Sequence, residues 1–408
     1  MTREDPGEAS SARGPAPDRA ILPPATIGIL GGGQLGRMLG FAARSMGYRI
    51  MVLDPDPDCP AAAVAERVIV GAYDDLAAAR ELAAICAVVT YELEHVSLEL
   101  VRAIDASVTV RPGVEPLRVT QDRLAERAFV EAAGVAVAPW QAVATAAELR
   151  GAAGQLGLPL RLKSATGGYD GRGQVRIARE SELGDALERL GRPAGETLLA
   201  ERELAFRTEL SVIVTRGTDG RSGAFAPARN LHDEGILVES VAPSDLPPTT
   251  IEAAMAVGER LAEAMGLVGT LTVELFLLPD GSLVVNELAP RVHNSGHWTI
   301  EGAATSQFEQ HVRAICGLPL GSSLAHGPTA VVNLLGAGRR RPARLVGLAD
   351  ALADPAVHVH LYDKRRVFER RKMGHVTARG GTAAAALDRA RRARALLRWA
   401  DGPEEETA

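Results

Sequence analysis

Two glutamates carry the strongest chemical signal in the chain. The segment 273–294 reads V-E-L-F-L-L-P-D-G-S-L-V-V-N-E-L-A-P-R-V-H-N. Two apolar runs flank Pro279-Asp280-Gly281-Ser282, and an Asp-Gly pair between such runs is a hairpin signal. A two-residue turn at Asp280-Gly281 sets Pro279 against Ser282 and Leu278 against Leu283. The same register places Glu274 directly opposite Glu287. Facing carboxylates repel. A hard divalent cation between them relieves the repulsion and keeps phosphate oxygens among its ligands. Two solvated acids on an exposed hairpin would fit the same spacing. Arg291, His293, Asn294 and Ser295 follow at once, and such a cluster suits an anion. The stretch reads as a metal and phosphate site.

A second cluster begins where the run 160–162 meets Lys163. Four glycines then fall within the seven residues 167–173, before another strand starts at Val175. The run Gly168-Tyr169-Asp170-Gly171-Arg172-Gly173-Gln174 is costly in chain entropy unless it closes over something. Its backbone amides, Lys163 and Arg172 suit nucleotide phosphates. No G-K-[ST] opens a helix, so this is not a Walker loop. A long hairpin turn is the plainer alternative, but a turn rarely needs a lysine, a tyrosine and an arginine together. Glu201-Arg202-Glu203-Leu204 closes the next strand and Glu209 opens another. Such a connector can lend backbone groups to an adenine edge and an acid to ribose hydroxyls, although surface acids are the commoner use.

The elements that must position these residues begin with strand Thr26 to Leu30, the turn Gly31-Gly32-Gly33-Gln34-Leu35-Gly36, a helix to Met46, and strand Arg49 to Leu53 ending at Asp54. Alone, this G-x-G-x-x-G unit says dinucleotide oxidoreductase. Any βαβ unit holding a phosphate or ribose at a helix N-terminus could use the same turn. Strands at 68–70 and 87–90 and a helix at 75–85 continue the alternation, which implies an α/β parallel sheet covered by helices. Ligands bind beyond the carboxyl ends of such strands, where Glu92 falls, a candidate for a substrate hydroxyl or amine. Arg111-Pro112-Gly113 breaks the pattern. Helices are expected at 120–133, 146–155, 249–265, 307–316 and 383–399, and strands at 330–335 and 358–362. The segment 364–375 is strongly cationic, and one or two of its side chains could reach a phosphate.

Composition narrows the class. The 408 residues allow two or three domains, and 46% hydrophobic with 24% charged content is ordinary for a globular protein. A net charge of −6 without a dominant basic block argues against nucleic acid as a partner. Cys59, Cys86 and Cys316 lie far apart, which suggests neither zinc nor a disulfide framework. No apolar run approaches a membrane span. Residues 1–24 read as a disordered tail, 401–408 as an acidic tail, and the cytoplasm follows by default.

The strings G-G-G-Q-L-G-R-M-L, T-Y-E-L-E-H-V, T-G-G-Y-D-G-R-G-Q and N-E-L-A-P-R-V-H-N-S-G-H-W-T, with Tyr362-Asp363-Lys364, resemble the N5-carboxyaminoimidazole ribonucleotide synthases of the ATP-grasp group. The resemblance runs from about Ile27 to His375. It implies a three-domain ATP-grasp architecture: an N-terminal Rossmann-like substrate domain over 25–115, a central lid domain over 116–205, and a C-terminal domain over 206–400. It implies a purine-biosynthetic ligase that carboxylates 5-aminoimidazole ribonucleotide with bicarbonate and ATP through carboxyphosphate, as a homodimer. Magnesium, or manganese, would sit on Glu274 and Glu287. ATP would meet Arg123, Lys163, Gly168 to Gln174, Glu201 to Leu204, Glu209, His232, Asn286 and Glu287. The ribonucleotide would touch Gln34, Leu35, Glu92, Tyr169, Arg172, His293, Asn294 and Ser295, and its phosphate Lys364, Arg371 and Lys372. Arg291, with Lys163, would be catalytic and steady the carboxyphosphate. The sequence departs from many ATP-grasp enzymes at Ala289, where they place an asparagine; here Asn286 precedes the glutamate instead. Formate-dependent glycinamide ribonucleotide ligases share the architecture and are the nearest rival.

Overall fold

Alternation of β-branched runs with helices gives the N-terminal part a parallel sheet. In the computed structural model, which describes residues 20–168, 173–191 and 195–402, strands β1 (Thr26–Leu30), β2 (Arg49–Asp54), β3 (Arg67–Val70) and β4 (Val88–Tyr91) run parallel in the order β3-β2-β1-β4. Their side chains are buried on both faces, Ile29 and Val52 in one cluster and Leu30 and Leu53 in another, as helix-covered parallel sheets require. Ile21 already belongs to this body. Its amide donates to the Cys316 carbonyl at 2.9 Å and its carbonyl accepts from the Tyr48 hydroxyl at 2.7 Å.

The central part is a four-stranded antiparallel sheet, β5-β8-β6-β7, built from β5 (Trp140–Val143), β6 (Leu160–Ser164), β7 (Gln174–Ile177) and β8 (Leu198–Arg202). The third sheet has nine strands. They are β9 (Thr208–Arg216), β10 (Ser222–Ala224), β11 (Ala228–Asp233), β12 (Ile236–Ala242), β13 (Gly269–Leu277), β14 (Leu283–Ala289), β15 (Thr329–Leu335) and the strands Lys372–Arg379 and Val357–Leu361. The path is β14-β13-β9-β11-β12-β15, then Lys372–Arg379 and Val357–Leu361, with β10 on β9. Leu210, Val212, Leu271 and Val273 pack beneath the helix Pro248–Ala264 through Leu261.

Two helices differ from expectation. The single helix expected over 120–133 is split into Val114–Gln121 and Arg123–Ala132. Asp122 is extended between them, and its carboxylate accepts from the amides of Leu124 and Ala125. An N-cap aspartate satisfies donors that a continuous helix would not leave open, so it starts a new helix. The last helix stops at Leu396, after which Arg398 and Trp399 pair with Val346 and Leu345.

The hairpin reaches its predicted pairing by another route. The loop holds three residues, Pro279-Asp280-Gly281: the Leu278 amide donates to the Ser282 carbonyl at 2.9 Å and Gly281 has φ +88°. A three-residue loop closed by a left-handed glycine is a standard alternative to the two-residue turn. It pairs Leu277 with Leu283, one step off the expected register. A bulge then skips Asn286 and restores Glu274 opposite Glu287.

Candidate active site

The bulge decides where the two acids point. Past it, Glu274 and Glu287 share one face of the ladder and border the same cleft. Burial pushes the Glu274 carboxyl up to about 7, opposed by His232 and reinforced by facing Glu287. The Asn286 amide reaches Glu274 at 3.5 Å. Among the described residues no three His, Cys, Asp or Glu side chains converge to hold a metal. Two carboxylate ligands without a complete protein cage fit a magnesium-like ion, which takes its remaining oxygens from phosphates and water.

Opposite the hairpin, β6 delivers Lys163 and β8 delivers Glu201. The lysine ammonium donates to Glu201 Oε2 at 2.6 Å, and Arg127 Nε donates to Glu201 Oε1 at 2.8 Å. Burial alone would raise the Glu201 carboxyl, but the two cations hold it down at about 2. Burial lowers the Lys163 ammonium against the pull of Glu201. Arg123 donates to the carbonyls of Ser164 at 3.0 Å and Gly168 at 3.3 Å, so it anchors the start of the glycine loop. At the loop's far end Gly173 has φ +71° and accepts from the Ser164 amide at 2.9 Å. Tyr169, Asp170, Gly171 and Arg172 lie outside the described residues. Arg202, Glu203 and Leu204 border the cleft, as does Gln174. Glu209 and His232 meet through a short carboxylate–imidazole contact that favours the protonated ring, and this offsets burial.

The glycine turn holds no open anion cradle. Gly32 N–H donates to Asp54 Oδ2 at 2.6 Å, Gly33 N–H to Glu92 Oε1 at 2.5 Å and Gly36 N–H to Glu92 Oε2 at 2.7 Å. The chain's own carboxylates fill the place a dinucleotide pyrophosphate would take, at the positive end of the helix Gln34–Ser45. Burial raises the Glu92 carboxyl despite both amides. Gln34, Leu35 and Glu92 still border the cleft.

Past β14 the cationic and polar cluster is arranged in depth. Arg291 pairs with Glu94 at 2.8 Å. His293 is gripped at both ends by Gln307, whose Oε1 accepts its amide and whose Nε2 donates to its carbonyl. Ser295 does not border the cleft; it is fully buried and meets His293 Nδ1 at 2.9 Å, behind the imidazole. Burial holds His293 well below the usual imidazole range, helped by Arg291 and Lys372. Asn294 is buried at the cleft with neither amide atom hydrogen-bonded, so it has both a donor and an acceptor to offer. Lys364, Arg371 and Lys372 reach the same wall. Arg371 lies 5.1 Å over the Phe368 ring, and burial lowers its guanidinium.

These walls enclose about 2100 Å3, more than one drug-sized ligand fills and room for two substrates. Sequence reasoning missed Glu126 and Arg127. Both are buried: Arg127 Nη1 donates to Glu126 at 2.7 Å and Nη2 to the Asn286 carbonyl at 2.8 Å, while Glu126 Oε2 accepts from the Leu288 amide at 2.8 Å. An adjacent Glu-Arg pair on a short helix looks like solvated surface, and nothing local marks it as buried.

Three family models match: the ribonucleotide synthetase preATP-grasp domain over residues 24–121, the ATP-grasp domain over 128–308 and the phosphoribosylaminoimidazole carboxylase C-terminal domain over 329–389. The N5-carboxyaminoimidazole ribonucleotide synthase of Bacillus subtilis is 42% identical over 357 residues, 88% of this chain and 92% of its own. That of Brucella melitensis is 42% identical over 360 residues, covering 88% and 97%. Among solved structures, an ADP complex of such a synthetase aligns with TM-score 0.85 at 40% identity, covering 92% of this chain and 98% of that one. The Aspergillus clavatus enzyme with ADP and 5-aminoimidazole ribonucleotide aligns with TM-score 0.83 at 32% identity, covering 91% and 98%.

Proposed function

The chain belongs to the N5-carboxyaminoimidazole ribonucleotide synthase family of ATP-grasp ligases, and from that premise we propose that it carboxylates 5-aminoimidazole ribonucleotide with bicarbonate while converting ATP to ADP. The observation that carries the site assignment is the pairing of Glu274 with Glu287 across the cleft from Lys163. Bicarbonate is a poor electrophile, and phosphoryl transfer from ATP makes carboxyphosphate from it. Positioning and charge neutralisation supply most of that catalysis.

Glu274 and Glu287 would hold magnesium or manganese, which neutralises phosphate charge when bound. Lys163 leaves Glu201 for a phosphate oxygen, since a desolvated lysine with one carboxylate partner can exchange it for another anion. Arg123 holds the base of the glycine loop, which excludes water from the unstable carboxyphosphate. Glu209 and His232 would give the ribose hydroxyls an acceptor and a donor. Arg291 steadies the carboxyphosphate from its seat on Glu94. Asn294 and His293 present donor and acceptor groups to the aminoimidazole, whose phosphate goes to Lys364, Arg371 and Lys372. A neutral His293, held low by burial, can accept the proton that the exocyclic amine releases as its C–N bond forms. A homodimer is the family expectation.

A coupled assay tests this reading: ADP release should require both bicarbonate and aminoimidazole ribonucleotide. Turnover with formate and glycinamide ribonucleotide instead would assign the sister ligase. Glu287→Gln should lower kcat by about 100-fold or more, as loss of a metal ligand does. The dinucleotide reading has no support at the glycine turn, where Asp54 and Glu92 occupy the amides.

A further inference from the structure

We propose that Arg127 is a positioning residue that aims Glu287. The β-ladder alone leaves the bulge underdetermined, because the Asn286 backbone has no register partner across it. Arg127 Nη2 takes the Asn286 carbonyl at 2.8 Å. One residue earlier on the same helix, Glu126 takes the Leu288 amide at 2.8 Å. Glu287 lies between these two grips, so the helix Arg123–Ala132 fixes the backbone on both sides of the metal acid. The remaining Arg127 nitrogens reach Glu126 and Glu201, and Glu201 holds Lys163 on its other oxygen. One rigid guanidinium therefore joins the backbone beside the hairpin acid, its own helix and the central sheet.

The arrangement is an expensive way to gain stability. A buried ion cluster is often no more stabilising than an apolar one of the same volume, whereas it can fix one geometry among several. Arg127 is 1% exposed and does not border the cleft, so it cannot touch a ligand directly. Its planar fork spans three acceptors from three chain segments, which a lysine ammonium cannot reproduce. Arg127 stands to Glu287 as an outer-shell partner stands to a metal ligand.

This inference rests on the reading that Glu274 and Glu287 hold a divalent ion, and the test separates the two. Mn2+ binding to the full chain with ADP is followed by the electron paramagnetic resonance of free Mn2+, and metal-free ADP binding by calorimetry. The wild type should bind Mn2+ with ADP and Glu287→Gln should not; failure of either removes the metal reading itself. Arg127→Met should weaken Mn2+ binding about tenfold or more while metal-free ADP affinity moves less than about threefold, the loss outer-shell partners give. Arg127→Lys keeps a cation for Glu201 but loses the span to Asn286, and should fall between; it decides alone if the methionine variant does not fold. Wild-type Mn2+ affinity in the folded Arg127 variants, or equal weakening of metal-bound and metal-free ADP, would overturn the proposal. A purely structural arginine would lower the melting temperature without separating those two affinities.

Discussion

Glu201 shows how strongly single charges are committed here. Its two oxygens serve Lys163 and Arg127, and the two cations pull its carboxyl far below the ordinary range despite burial. Glu201→Gln would leave two buried cations facing a neutral amide. Breaking a buried ion pair by removing one partner costs about 3–5 kcal/mol, so urea unfolding should show a loss of that order. Full retention of stability would mean that the cluster is solvated. The acids of the hairpin were legible from sequence because an Asp-Gly turn between apolar runs fixes a register. The paired result survived even though the turn and the bulge each shift the register by one residue. Arg127 was not legible, since two of its three partners are 74 and 159 residues away. The family resemblance implies a substrate contact at Ser295, but the 3-10 turn Asn294–Gly296 sends it behind His293.

Among elements, the strand-turn-helix unit at the N-terminus was read correctly as structure and ambiguously as chemistry. Its glycines serve close packing. A Cβ at Gly36 would stand 2.6 Å from the Gly31 carbonyl oxygen, a backbone atom that cannot yield without moving the helix Gln34–Ser45. Gly36→Ala should therefore shift the amide that holds Glu92 and weaken aminoimidazole ribonucleotide binding about tenfold, with a stability loss of about 1–3 kcal/mol. Calorimetry should show ADP affinity unchanged, because Lys163 and the hairpin lie on other sheets; an equal loss of both affinities would contradict this division. Sequence pattern located most helices and strands, since amphipathic spacing is local. The break at Asp122 was missed because an N-cap aspartate inside a charged stretch resembles any other surface acid.

At the scale of the molecule, buried imidazoles make the fold sensitive to acid. Burial pushes His297 and His311 down to about 3 and holds His293 and His375 well below the usual range. Unfolded histidine titrates near 6.5, so between that pH and the folded values the unfolded chain binds more protons and stability falls as pH falls. Glu126 and Glu274, raised to about 7 with burial as the leading cause, act oppositely between about 4.5 and 7. Raised Glu92 and His232 act with these carboxyls, and lowered Glu201 acts with the imidazoles, so each group is read through its own variant. His311 is the cleanest test, because burial is its only cause and it bridges Thr90 and the Thr270 amide. Replacing it in His311→Gln should reduce the stability lost between pH 7 and pH 5 by about 2 kcal/mol, read from urea titrations at each pH. An unchanged pH slope would mean that His311 takes up its proton as readily in the native protein as in the unfolded chain. The nine-stranded sheet carries Glu274 and Glu287 near one border and Lys372 near the other. If these side chains hold the two substrates as proposed, both anchors ride on a single hydrogen-bonded slab, and their spacing is set at folding. The four-stranded sheet that carries Lys163 is a separate ladder and takes no part in setting that spacing.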